Sequence, residues 1–250
     1  PWTLSGDSTF VISINLALES GTTYYVSVRA TDWMNNISGT ATSNGITLDT
    51  SNPVVTVPNE GGVGVDYDFQ NSLSDIIISW TGSDGTRELL SYEYAIGTTP
   101  GGMETLSWTD NGTLTSVTVT GLSLAEGTTY FASVRALDMA GNVSEIATGD
   151  GITPDLTAPI TGVVVDGLQE DLVFTGTQDS LSAHWFGFSD NLSGISHYEF
   201  ALGISPGDSS IAAWENVGQD TFYVKSVALS DAQAYYVSVR ATDMVENVSN

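Results

Sequence analysis

The chain contains no cysteine, which rules out disulfides and thiolate chemistry and leaves the compartment open. Basic residues are nearly as scarce, with five Lys and Arg against thirty Asp and Glu and a formal charge of −25. That sign is wrong for a nucleic-acid backbone or an anionic membrane, and both are excluded as default partners. It favours a solvated acidic surface and attracts cations such as Ca²⁺. No stretch approaches the roughly eighteen consecutive apolar residues of a membrane span. The opening PWTLSGDSTF has neither the basic start nor the apolar core of a signal peptide, so any export address is expected upstream. HExxH, a phosphate loop and a DxDxDG calcium loop are all missing, and no catalytic activity is expected.

What the chain does have is repetition. It reads YYVSVRATDWMNNIS from Tyr24, YFASVRALDMAGNVS from Tyr130 and YYVSVRATDMVENVS from Tyr235. Trp2, Trp108 and Trp214 recur every 106 residues, and Trp80 and Trp185 lie 105 apart. GITLDTSNP (Gly45 to Pro53) matches GITPDLTAP (Gly151 to Pro159), and the prolines mark unit junctions. The expected organisation is the back half of a first repeat (1–52), a complete repeat (53–158) and a third repeat without its last strand (159–250).

Within a unit the hydrophobic period is two, broken every eight to twelve residues by Gly, Ser, Asn, Asp and Thr. This predicts an all-β sandwich. In DIIISW, Ile76, Ile78 and Trp80 share a face, as do Leu181, Ala183 and Trp185 in the next unit. SYEYAIG puts Tyr92, Tyr94 and Ile96 inward and Glu93 outward. SHYEFALG repeats this with Tyr198, Phe200 and Leu202 around Glu199. The recurring phrase then turns Tyr130, Ala132, Val134 and Ala136 inward and Phe131, Ser133 and Arg135 outward.

The Trp of the second strand, the Tyr-x-Tyr/Phe of the third and the Leu-x-x-Gly-x-x-Tyr before the sixth together resemble a fibronectin type III domain. They also resemble the Ig-like repeats of large bacterial surface proteins. The resemblance covers the whole chain and implies tandem Greek-key β-sandwiches. It further implies a tyrosine corner at Tyr24, Tyr130 and Tyr235, each hydroxyl bonding back to the preceding loop. By the family topology the third strand lies beside the sixth, which sets Glu93 against Arg135 and Glu199 against Arg240 as cross-strand ion pairs. Such pairs mark register, because a one-residue slip would turn both charges inward. Arg29 has no corresponding glutamate in the chain.

Candidate chemistry centres on acidic residues. Asp49 and Asp155 sit at the junctions, Asp32, Asp138 and Asp243 begin the adjoining turns, and Asp84 and Asp190 lie in the loop between second and third strands. Gathered where two units meet, such oxygen ligands would hold Ca²⁺; alternatively each aspartate simply accepts backbone N–H bonds in its own turn. His197 and Glu199 stand two apart on one strand and read as a surface pair. Five Asn-x-Ser/Thr sequons, at Asn36, Asn111, Asn142, Asn191 and Asn247, read as turn chemistry. The outward Tyr25, Phe131 and Tyr236 either pack beside the arginines or form a contact strip.

The function expected is therefore non-catalytic, structural or adhesive, and extracellular or cell-surface: a rod or fibre of tandem sandwiches. Neighbouring copies could complete one another by strand exchange, and a surface protein or glycan is a further partner. The other reading is an accessory carbohydrate- or protein-binding module of a larger secreted enzyme.

Overall fold

The computed structural model describes residues 2–85 and 88–250, so Arg87 lies outside the described residues. The described chain contains strands and no helix, as its period of two requires. The second repeat is a sandwich of two four-stranded sheets. One runs in the order Leu106–Asp110, Leu89–Gly97, Phe131–Asp138, Ala147–Thr148. The other runs Ser116–Thr120, Asp75–Ser79, Asn59–Gly62, Val65–Asp66. Phe69–Gln70 and Thr153–Pro154, from the beginning and end of the repeat, close the sandwich as a parallel pair.

The third repeat follows the same plan, with sheets Val163–Asp166, Ser180–Phe186, Phe222–Ser226 and Ala212–Asn216, Ile195–Gly203, Tyr236–Asp243. These are tandem fibronectin type III-like sandwiches. In residues 2–52, two short pairs, Thr23–Tyr24 with Ile46–Thr47 and Ser27–Val28 with Ala41–Thr42, correspond to the last two strands of a repeat. Val26 and Val28 are exposed there, because nothing among residues 2–52 corresponds to the Asp75–Ser79 strand that faces Ala132 and Val134.

The core of each sandwich forms where inward residues of the two sheets meet. Ile76, Ile78 and Trp80 pack against Tyr92, Tyr94 and Ile96 and against Tyr130, Ala132, Val134 and Ala136, all of them buried. The Trp80 indole meets Tyr92 edge-on at 5.7 Å, and Trp185 meets Tyr198 the same way at 5.6 Å. Edge-on packing sets the positive rim of one ring against the negative face of the other. Some outward positions are buried as well. Ser133 points away from the core by alternation yet is fully buried, because Thr148 of the last strand lies over it with the hydroxyls 3.0 Å apart.

Ile78 has no exposed surface and lies at the centre of this packing. Ile78→Ala is therefore expected to cost about 2–5 kcal/mol, the range for truncating a buried aliphatic side chain, measured as a lower urea midpoint with unchanged slope.

Candidate functional site

Three clusters of titratable residues were found among the described residues, and two of them sit at the junctions between repeats. In the first, carboxylate oxygens of Asp49, Asp84 and Asp138 lie within 4.8 Å of one another; in the second, those of Asp155, Asp190 and Asp243 do. The fold gathers the aspartates named from the sequence into two sets of the same design. Asp49 or Asp155 comes from the linker, Asp84 or Asp190 from the loop after the Trp strand, and Asp138 or Asp243 from the end of the sixth strand.

The turn Asp138–Asn142 explains why this geometry repeats. Asp138 Oδ1 accepts from the N–H groups of Ala140 and Asn142, and its Oδ2 accepts from the Asn142 side-chain amide, each at 2.8 Å. That same amide reaches the Asp49 carbonyl oxygen at 3.3 Å, so the turn of one repeat clasps the linker before it. In the third repeat Asn247 repeats both bonds, to Asp243 Oδ2 at 2.7 Å and to the Asp155 carbonyl at 3.2 Å. The sequon serines are used as well, since Ser38, Ser144 and Ser249 each accept from the N–H of Ala30, Ala136 or Ala241 at 2.9 Å. Burial raises the Asp138 carboxyl, but hydrogen bonds from Asn142, Ala140 and Gly141 outweigh it and hold the group below its ordinary value.

Hard oxygen ligands in this number could hold Ca²⁺. Much of their hydrogen-bonding capacity is already used by the fold, however. Asp155 Oδ1 accepts from Thr157 N–H and its Oδ2 from Ser193 N–H, while Asp190 Oδ1 accepts from Leu192 and Gly194. Through these bonds Asp138, Asp155 and Asp190 cap turns and help to knit the joint together.

The third cluster was not anticipated. Glu60, Asp66 and Asp150 bring one carboxylate oxygen each within 4.8 Å of the others. Glu60 is completely buried between the sheets. Opposite Phe131 the last strand carries two residues, Asp150 and Gly151, since Gly149 pairs with Ala132 and Ile152 with Tyr130. Gly151 has φ 101°, and a Cβ there would press on Thr129 and the Phe131 ring. This bulge frees the Ala132 N–H, which donates to Glu60 Oε1 at 2.8 Å. Glu60 Oε2 makes no hydrogen bond of ordinary geometry to any described residue.

Burial pushes the Glu60 carboxyl up to about 7; the Ala132 and Gly151 N–H groups hold it back, and the charges of Asp66 and Asp150 push it further. A single glutamate between Asn59 and the two glycines Gly61 and Gly62 was the only sign of it in the sequence.

The remaining sequence candidates occupy the outer faces and loops. The tyrosine hydroxyls of Tyr24, Tyr130 and Tyr235 accept from the N–H of Glu19, Ala125 and Ser230, each at 2.8 Å. Glu93 faces Arg135 and Glu199 faces Arg240 in register, with Nε to Oε2 at 2.6 Å in both pairs. The arginines have a second partner that the 106-residue spacing of the tryptophans could have suggested. The guanidinium of Arg135 lies over Trp108 and that of Arg240 over Trp214, both at 4.4 Å from the ring centroid. Arg29, without a glutamate, lies over Trp2 at 4.2 Å. His197 neighbours the Ser196 hydroxyl, and Glu199 is engaged by Arg240, so the two do not converge as a site.

No protein-family model matches the chain. Exoglucanase B of Cellulomonas fimi is 29% identical over 256 residues, an alignment covering 98% of this chain and 21% of that protein. The chain thus spans about a fifth of that curated relative's length. Among solved structures, the fibronectin(III)-like modules of Clostridium thermocellum CbhA superpose with a TM-score of 0.44 at 17% identity, over 79% of this chain and 89% of that one. Titin domains A168–A170 give a TM-score of 0.49 at 16% identity, over 91% and 71%. Chicken CNTN1 FN1–FN3 domains give 0.42 at 16%, over 91% and 72%.

The raised carboxyl of Glu60 has a consequence for stability. Its folded-state value lies above the ordinary 4.5, so folding favours the neutral form; the contribution is intact below about 4.5 and is lost as pH climbs through about 7. In metal-free buffer, urea unfolding is expected to show a loss of about 3 kcal/mol across that window, and Glu60→Gln should flatten it.

Proposed function

We propose that the chain is a non-catalytic segment of an extracellular or cell-surface protein, a rod of tandem sandwiches that spaces or presents what flanks it. The repeated clasp supports this reading: Asn142 on the Asp49 carbonyl and Asn247 on the Asp155 carbonyl fasten successive repeats with the same bond. At the second joint Asn71 adds a bond to the Asn247 side-chain oxygen at 2.9 Å, and Ser193 N–H adds one to Asp155. Flexibly linked domains would need none of these. The acidic surface suits a solvated rod.

A second reading makes the rod an accessory segment of a larger secreted enzyme acting on polysaccharide, and the likeness to Exoglucanase B along 98% of the chain favours it. In that setting the segment would hold a catalytic unit away from its anchor, or touch glycan itself. A fibre built by strand exchange is a further elaboration.

Small-angle scattering tests the rod. The wild-type profile is expected to fit one extended particle, and Asn142→Ala with Asn247→Ala is expected to require a spread of inter-repeat angles. A wild-type profile that only a freely jointed ensemble fits defeats the reading. Sedimentation with insoluble cellulose separates the roles inside an enzyme: co-sedimentation supports direct glycan contact, and a chain left in the supernatant supports a spacer. Filaments in electron micrographs would support strand exchange, and single short rods would sink it.

A further inference from the structure

We propose that Glu60, Asp66 and Asp150 form a divalent-cation site of the Ca²⁺ type inside the second repeat, at the bulge where its last strand passes the Asn59–Gly62 strand. Two observations meet there. Three carboxylates from separate segments place one oxygen each within 4.8 Å of the others, close enough for oxygens arranged around one ion with bonds of about 2.3–2.6 Å. One of the three, Glu60, has no exposed surface, and its Oε2 is buried without a hydrogen-bond partner among the described residues. A buried carboxylate oxygen left in that condition is costly, and a cation bound between it and the two aspartates removes the cost. The donor set is all oxygen, without nitrogen or sulfur, which favours a hard cation over zinc or copper.

The surroundings are built for the glutamate. A Cβ on Gly149 would run into the Glu60 carboxylate, so the glycine keeps open the space that it fills. Asp66 is fixed by its bond from the Glu60 N–H to Oδ1 at 2.8 Å. Asp66 and Asp150 are exposed, which gives the ion a route in from solvent.

The pairing of acids recurs in the next repeat. Asp166 stands opposite Ala183 as Glu60 stands opposite Ile78, and Leu172 N–H donates to the Asp166 carbonyl as Tyr67 N–H does to that of Glu60. Asp171 therefore occupies the place of Asp66. In the first repeat the position of Asp150 is taken by Asn44. There the Val26 N–H, the counterpart of Ala132 N–H, bonds to Ser43 Oγ at 3.0 Å instead of to a glutamate. A carboxylate is thus one of two solutions to the same bulge, and the second repeat uses the charged one.

The site is independent of the junction aspartates and of the rod reading, which stands if the site fails. The test titrates the chelator-stripped chain with Mn²⁺ and follows its amide NMR signals, then with Ca²⁺ by calorimetry. The expected result is broadening of Ala132 and Gly149–Gly151 at substoichiometric Mn²⁺. Asp150→Asn, an exposed change that leaves the core intact, and Glu60→Gln, which keeps an acceptor for Ala132 N–H, should each weaken Ca²⁺ binding at this site at least tenfold. The junction variant Asp190→Asn should leave the broadening of those signals unchanged. Signals of Gly149–Gly151 that stay sharp, broadening confined to the junction aspartates, or wild-type binding by Asp150→Asn would each overturn the proposal.

Discussion

Burial of one tryptophan per sandwich against the tyrosines of the opposite sheet is the contact on which the rest of each repeat depends. Trp80 meets Tyr92 and Trp185 meets Tyr198 with the same edge-on geometry, and Trp80 also lies beside Tyr94 at a tilt. For that contact to form, the Leu89–Gly97 and Ile195–Gly203 strands must present their aromatic side chains inward, which fixes every outward residue as well. Glu93 and Glu199 then face Arg135 and Arg240, and the arginines cover Trp108 and Trp214. Each such outer contact is worth about 1 kcal/mol or less, so these stacks follow from the register set by the core more than they establish it.

The acidic excess is handled in two different ways. At the junctions, aspartates gather in threes, and N–H donors from Ala140, Asn142, Val245, Asn247 and Ser193 answer the charge of Asp138, Asp243 and Asp155. The charge is local and the benefit is mechanical, because the same asparagine that satisfies the turn aspartate also grips the preceding linker. Inside the second repeat, Glu60 is answered only in part. One oxygen completes the ladder that the Asp150–Gly151 bulge interrupts, the other is buried without a hydrogen-bond partner among the described residues, and the carboxylate lies close to two more. A neutral side chain could satisfy the Ala132 N–H at less electrostatic cost, as Ser43 does for Val26. The retention of a charge there is what gives the position its chemical interest.

The joints and the sandwich cores are therefore linked through a single phrase. Tyr130, Ala132, Val134 and Ala136 belong to the core; Arg135 holds the outer face; Asp138 and Asn142 make the turn and clasp the linker; and Ser144 returns to cap Ala136. A stretch that does all of this tolerates little change, which accounts physically for its near-identical wording at Tyr24, Tyr130 and Tyr235.

By itself the sequence determined the period, the sandwich and the inward and outward faces, because strand alternation and repeat spacing are local properties that survive in one dimension; the cross-strand partners of Arg135 and Arg240 followed only from the resemblance to the fibronectin type III topology. It also named the junction aspartates, since turn chemistry is written in adjacent residues. The tertiary structure alone decided which aspartates meet, how Asn142 and Asn247 reach the linker carbonyls, and that Arg29 rests on Trp2. The Glu60 cluster was invisible for the same reason. Its members come from two strands and a bulge up to 90 residues apart, and only the closing of one sheet over the other brings their charges together.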